Sequence, residues 1–247
     1  MAAPSYLWIY VVLTIAIISL TILAGVIAAL TATDYPRAEV RRSTILTALL
    51  LAGWIAFTAA LGAAGTVVPL LTLPGARLGL GGLVAVAFCM AALRTPTGAR
   101  IIHAVPQAWL VGVQVYRLMG SIFLVLFGMN MLPAAFALPA GIGDVAVAVL
   151  ALPVAGIYLA GWQIREHLLW AWNVFGIADL LVALTMGALT MQALHLFHGV
   201  SSALLSSWPL IMVPLFAVPL SIVLHIASLR KLGWDRELAA RMSHATA

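Results

Sequence analysis

Hydrophobic residues run along this chain in long unbroken blocks. They show neither the alternation of half-buried strands nor the one-sided stripe of soluble helices. Seven such blocks lie at residues 6–32, 44–66, 77–93, 107–129, 136–160, 168–190 and 209–229. Most approach the roughly 20 residues that carry a helix across about 30 Å of hydrocarbon. Barrel strands would alternate apolar and polar residues, so helix is the expected conformation throughout. The pattern predicts an all-α, polytopic membrane protein of seven transmembrane helices. Residues 1–231 are expected to form one bundle, and 232–247 a short basic tail.

Composition strengthens this reading. The chain of 247 residues is 64% hydrophobic and only 8% charged, too few charges for a soluble domain. The one cysteine, Cys89, has no partner within the chain, so no intramolecular disulfide is expected.

The formal charge of +5 reads as topology. Arg37, Arg41, Arg42, Arg94, Arg100 and Arg165 fall on one side of the span map, together with Arg230, Lys231, Arg236 and Arg241. Only Arg77, at the edge of the third span, falls on the other. The asymmetry predicts an outside N-terminus and a cytoplasmic C-terminus. Basic residues near the cytoplasmic face would attract anionic lipid headgroups. They are not interleaved with exposed aromatics in a soluble block, so nucleic acid is not an expected partner. The first span is too long for a signal-peptide core and lacks a basic segment before it. Trp8 and Trp208 fall at predicted outer ends and Trp109, Trp162, Trp170 and Trp234 near inner ends, as an interfacial aromatic belt requires. Trp54 falls mid-span. Pro74, Pro139 and Pro209 are expected near helix starts, where a missing N–H costs little. Pro214 and Pro219 predict a kinked or locally unwound seventh helix.

The candidate chemistry is the ionisable residues inside the spans. Arg117 interrupts "AWLVGVQVYRLMGSIFLVLF", and Asp144 and Asp179 lie well inside the next two spans. Charge at mid-bilayer costs at least a few kcal/mol, so these groups must face the interior and find partners. Helical spacing places Gln107, Gln114, Arg117 and Ser121 on one face of the fourth span, and Ser221, His225 and Ser228 on one face of the seventh. Small residues share the faces of Asp144 and Asp179, which permits close helix approach. Counting about 1.5 Å per residue puts Arg117 roughly 15 Å from its inner helix end and level with Asp179. The same count puts His225 only about 6 Å from its inner end. Arg117 is therefore expected to bridge to one or both aspartates through its planar fork.

One arginine against two aspartates leaves a charge imbalance. A proton on one carboxylate, His225 or a bound cation would balance it. The cluster is then a site for proton coupling or for a small-molecule or ion ligand. It serves equally as a purely structural tie between helices. Asn173, near Asp179 on the sixth helix, either lines the same site or bonds a neighbouring backbone.

Other motifs carry less. His195 and His198 have a metal-chelating spacing, but no acidic residue or cysteine in the predicted outer loops completes a site, so they read as interfacial histidines and no metal is expected. Bis-histidine haem would need a second mid-bilayer histidine. Retinal would need an interior lysine, and the only lysine is Lys231. No cofactor is identified, and no catalytic motif is present.

The segments "QVYRLMGSIFLVLF", "LPAAFALPAGIGD", "WNVFGIADLLVA" and "PLFAVPLSIVLHIASL" resemble a widespread group of bacterial multi-pass membrane proteins usually described as hypothetical proteins. The resemblance covers about residues 107–231 and implies a bacterial inner-membrane location, with no activity attached. The expected function is small-molecule or ion binding or transport, linked to protons, built on Gln114, Arg117, Asp144, Asn173, Asp179 and His225. The alternatives are an intramembrane redox or lipid-modifying enzyme and a structural accessory subunit.

Overall fold

The computed structural model describes residues 4–63, 76–191 and 199–245. Among these residues every regular element is helical. In chain order they are α1 (Tyr6–Thr31), α2 (Arg37–Ala63), α3 (Ala76–Arg94), α4 (Pro96–Ala104), α5 (Gln107–Gly128), α6 (Ala134–Leu159), α7 (Arg165–Leu189), a short 3-10 helix (Ser202–Ser206) and α8. The last begins with a widened turn, Val213–Ala217, and continues as Val218–Ala245. Six helices, namely α1, α2 and α5 to α8, are long and apolar enough to cross a membrane. The pair α3 and α4 meets at 82° and makes a seventh span if the two count as one. The chain thus has the build of a multi-pass membrane protein, with six or seven spans.

The residues between the third and fourth expected spans are not a plain loop. Thr95 accepts a hydrogen bond from the Gly98 N–H at 3.1 Å, and Pro96 occupies the first turn. This is an N-cap followed by a proline whose missing N–H has no helical partner to lose. The cap starts α4 and turns the chain sharply after α3.

Helix α8 is the axis of the bundle. Every residue from Pro209 to His225 is buried. A helix apolar on all sides suits either lipid or a core, and here the other helices enclose it. The expected deformation around Pro214 and Pro219 is present as the widened turn, where the Val218 N–H reaches the Val213 carbonyl five residues back. Pro219 has no N–H to offer the Leu215 carbonyl four residues earlier. The Trp54 indole Nε1 donates to that carbonyl instead, at 2.9 Å. This accounts for the mid-span tryptophan, which is buried and packs on Phe216.

Two expectations about helix limits change. Pro139 lies inside α6, six residues into a helix that starts after Pro133. Pro133 is the residue at the helix start, and Pro74 lies outside the described residues. Helix α8 runs on through the expected tail as far as Ala245.

Contacts at the two ends agree with the belt of aromatic and basic residues. Trp8 and Trp208 meet edge to face, with ring centroids 5.1 Å apart. At the other end, Arg100 pairs with Glu39 at 2.9 Å and Arg236 with Glu166 at 2.7 Å. Lys231 donates to the His103 carbonyl at 2.9 Å, and His103 stacks on Trp234.

Candidate functional site

Helices α5 and α8 run antiparallel, and polar side chains pair across them at matched intervals. Gln107 donates to Ser228 Oγ at 2.6 Å. Seven residues further along α5, and seven back along α8, Gln114 donates to the Ser221 carbonyl at 3.1 Å. Tyr116 donates to the Ala217 carbonyl at 2.8 Å and lies 2.5 Å from Ser221 Oγ. The seven-residue interval keeps each pair on the facing surfaces of both helices. The faces inferred from spacing alone are thus the faces that meet.

Between these pairs α5 tightens. Residues Val113–Gly120 form a 3-10 stretch, bounded at its end by Gly120. Three residues per turn stack Gln114, Arg117 and Gly120 on one line. Gly120 lies against the Asp144 carboxylate, where a Cβ would collide with it. This tightening was not legible, because the apolar pattern of eight residues does not separate a period of 3.0 from 3.6.

Arg117 is 2% exposed and stands at the centre of four helices. Its Nε donates to Asp144 Oδ1 on α6 at 2.7 Å, and its Nη2 lies 2.7 Å from the same oxygen. Nη2 also pairs with Asp179 Oδ2 on α7. Nη1 donates to the Gly176 carbonyl at 3.4 Å and to His225 Nε2 on α8 at 3.3 Å. Four hydrogen bonds from the guanidinium thereby reach three side chains and a carbonyl. The expected bridge is therefore to both aspartates.

Residue counting puts Arg117 deeper than His225, yet the two side chains touch. Helical side chains lean toward the N-terminus of their own helix, so Arg117 reaches back along α5 toward His225, and His225 back along α8 toward Arg117.

Hydrogen-bond logic then fixes the imidazole. A guanidinium has no acceptor, so Nε2 must offer its lone pair to Arg117. Nδ1 carries the proton and donates to Asn173 Oδ1 at 2.9 Å. Asn173 Nδ2 in turn donates to the Leu169 carbonyl at 2.8 Å and to Ser228 Oγ at 2.9 Å. Asn173 therefore does both things considered for it: it joins the cluster and bonds its own helix. His225 is held neutral in this arrangement, and the cluster contains one cation and two carboxylates.

Close packing by glycine makes the cluster possible. Gly143 lies against Asp179 and Gly176 against the His225 ring, each with no room for a Cβ. Tyr116, Ser228, Gly120 and Gly143 were not among the expected site residues. Ser228 was visible as one of three polar residues on the face of His225. The glycines could be placed only once the helices were paired.

The cluster is a packed knot and not a polar-lined pocket. A cavity of 340 Å³ lies beside it, between α3, α5, α6, α7 and α8. Among the described residues its wall is apolar except at Asp144. Gln114 does not line it and serves the α5–α8 pairing. His195 and His198 fall outside the described residues, and no cluster of metal-ligating side chains occurs among the described ones.

Residues 73–233 match the model of a family described as Domain of unknown function (DUF8737). The chain belongs to this family. The matched segment spans α3 to the middle of α8 and includes every residue of the Arg117 cluster. It begins earlier than the resemblance noted above, so α3 and α4 are part of the same unit. No curated protein and no solved structure matches the chain.

Proposed function

We propose that this family member binds a small molecule or ion at the Arg117 cluster in exchange with a proton, and that this exchange serves transport across a bacterial cytoplasmic membrane. The observation that carries the reading is the charge count. Arg117 is shared by Asp144 and Asp179, and the His225 tautomer adds no charge. Two ionised carboxylates would leave one negative charge in excess, deep among apolar helices. A proton or a ligand cation balances it, and exchange of one for the other is the elementary step of coupled transport. The widened turn of α8, next to the cluster, is the element able to change shape. The Lys and Arg distribution supports an outside N-terminus and a cytoplasmic C-terminus.

Infrared difference spectroscopy tests the charge count. A protonated carboxylic acid band is expected in the wild type at neutral pH and is lost in Asp144→Asn or Asp179→Asn. Its absence from the wild type would remove the proton from the argument. In proteoliposomes, a proton flux lost in the same variants is expected.

A second reading has its own observation. The bonds of Arg117 join α5, α6, α7 and α8 in one knot, which suits a tie that only fixes helix pairing. That reading expects variants to lose abundance while any flux per folded molecule is unchanged.

A further inference from the structure

The cavity and the cluster touch at one group, and that group is an anion. Of the cluster's charged side chains, only Asp144 lines the cavity. Its side chain is 13% exposed, against 2% for Arg117 and 7% for Asp179. The arginine is shielded behind the carboxylate, so the cavity meets the negative end of the cluster. The wall also includes Phe123 and Phe136, whose rings meet edge to face with centroids 5.1 Å apart. Ring faces attract cations, more strongly where water is excluded. The remaining wall is aliphatic, with Leu180, Leu184 and Pro219. The volume of 340 Å³ matches the lower range of small-molecule pockets, about 300 to 1,000 Å³.

We propose that this cavity binds a lipophilic monovalent cation, a hydrophobic amine or onium ion, with its charge against Asp144 and its apolar body among the leucines and phenylalanines. The proposal rests on the reading of the cluster as proton-linked and names its substrate class. A neutral hydrophobic molecule would fill the volume but leave the carboxylate without a counter-charge. An anion would meet Asp144 before it met Arg117. A cation replaces the balancing proton one for one, with no other change in charge.

The charged and titratable groups facing Asp144 are Arg117 and Tyr116 from α5 and Asp179 from α7, with His225 from α8 behind Arg117. From α3 the described residues of the cavity wall are Gly82, Leu83 and Val86, which carry no charge. Release of one proton per cation makes the affinity rise about tenfold per pH unit wherever the proton is fully bound, because the two ligands are reciprocally linked.

The test uses full-length protein in mild detergent, with tetraphenylphosphonium as the cation and triphenylphosphine oxide as a bulky neutral comparison. Calorimetry in two buffers of different ionisation heat reads both affinity and proton release. Saturable tetraphenylphosphonium binding is expected, with about one proton released and at least tenfold preference over the neutral compound. Asp144→Asn should weaken cation binding at least tenfold, and Ala183→Phe should block the cavity for both compounds. The neutral comparison needs no variant, so a misfolded mutant does not leave the question open. Equal affinity for the two compounds, binding without proton release, or no saturable binding would overturn the proposal. If binding fails while the wild-type carboxylic acid band is present, only the ligand class falls. If the band itself is absent, the proton-linked reading falls with it.

Discussion

Arg117 Nη1 lies 3.3 Å from His225 Nε2, and this contact between a permanent donor and an imidazole dictates the state of the ring. With Nε2 accepting, Nδ1 must carry the hydrogen that reaches Asn173 Oδ1. Nitrogen NMR of protein labelled at histidine should therefore show, for His225, a protonated Nδ1 and an unprotonated Nε2 at neutral pH. The Asn173→Ala variant removes the acceptor and leaves Nδ1–H buried without a partner, at a cost of about 1–3 kcal/mol in stability. A doubly protonated ring in the wild type would contradict the charge count on which the proton-linked reading depends.

Removing Arg117 should be far worse than neutralising the whole cluster. Arg117→Met leaves two buried carboxylates facing each other and should cost about 3–5 kcal/mol. Combining it with Asp144→Asn and Asp179→Asn removes every charge at once. Most of that loss should then return, because buried ion pairs and neutral isosteres are often close in stability. Thermal unfolding in detergent measures both. A triple variant that is stable but transports nothing separates a functional cluster from a structural tie. Arg117→Lys should not substitute, since an ammonium cannot span two carboxylates, a carbonyl and an imidazole in one plane.

How much of this was legible in the sequence follows from what constrains each feature. The Arg117–Asp144–Asp179 bridge was legible because charge inside a bilayer must pair, and these residues are the only ones at the right depth. The faces carrying Gln107, Gln114, Ser221 and Ser228 followed from helical period alone. Helix α4 was signalled by Thr95 and Pro96, a cap and a first-turn proline, but its Arg100 reads as a loop charge between two apolar blocks. The contact of His225 with Arg117 was not legible from counting Cα levels, because both side chains lean toward the N-termini of antiparallel helices and so approach each other. The cavity left no sequence trace. A leucine facing lipid and one facing an internal space are the same letter with the same period.

The glycines of the cluster give a prediction of sign. In an exposed helix Gly→Ala is favourable by about 1 kcal/mol. Gly53→Ala and Gly156→Ala should gain up to that amount, since a Cβ there meets nothing within 4 Å. Gly120→Ala, Gly143→Ala and Gly176→Ala should each lose about 1–3 kcal/mol, because the added carbon runs into Asp144, Asp179 and His225 respectively. Melting temperatures of the five variants decide it. A gain at Gly143 would mean that α6 and α7 are not as close as described.

Trp54 offers a test of the deformed turn in α8. Its Nε1 supplies the hydrogen bond that Pro219 cannot give to the Leu215 carbonyl. Trp54→Phe keeps an aromatic ring beside Phe216 but orphans a buried carbonyl, a loss of about 1–3 kcal/mol. Pro219→Ala restores a backbone N–H at the right interval. In the wild type that change should alter stability little, since the carbonyl is already satisfied. In the Trp54→Phe background it should recover a good part of the loss, and the coupling between the two sites should fall in the range of about 0.5–3 kcal/mol. Additive effects would mean that Trp54 acts only through packing. The same pair also bears on function: if the widened turn is the moving element, Pro219→Ala should slow proton flux in proteoliposomes even where it leaves the melting temperature unchanged.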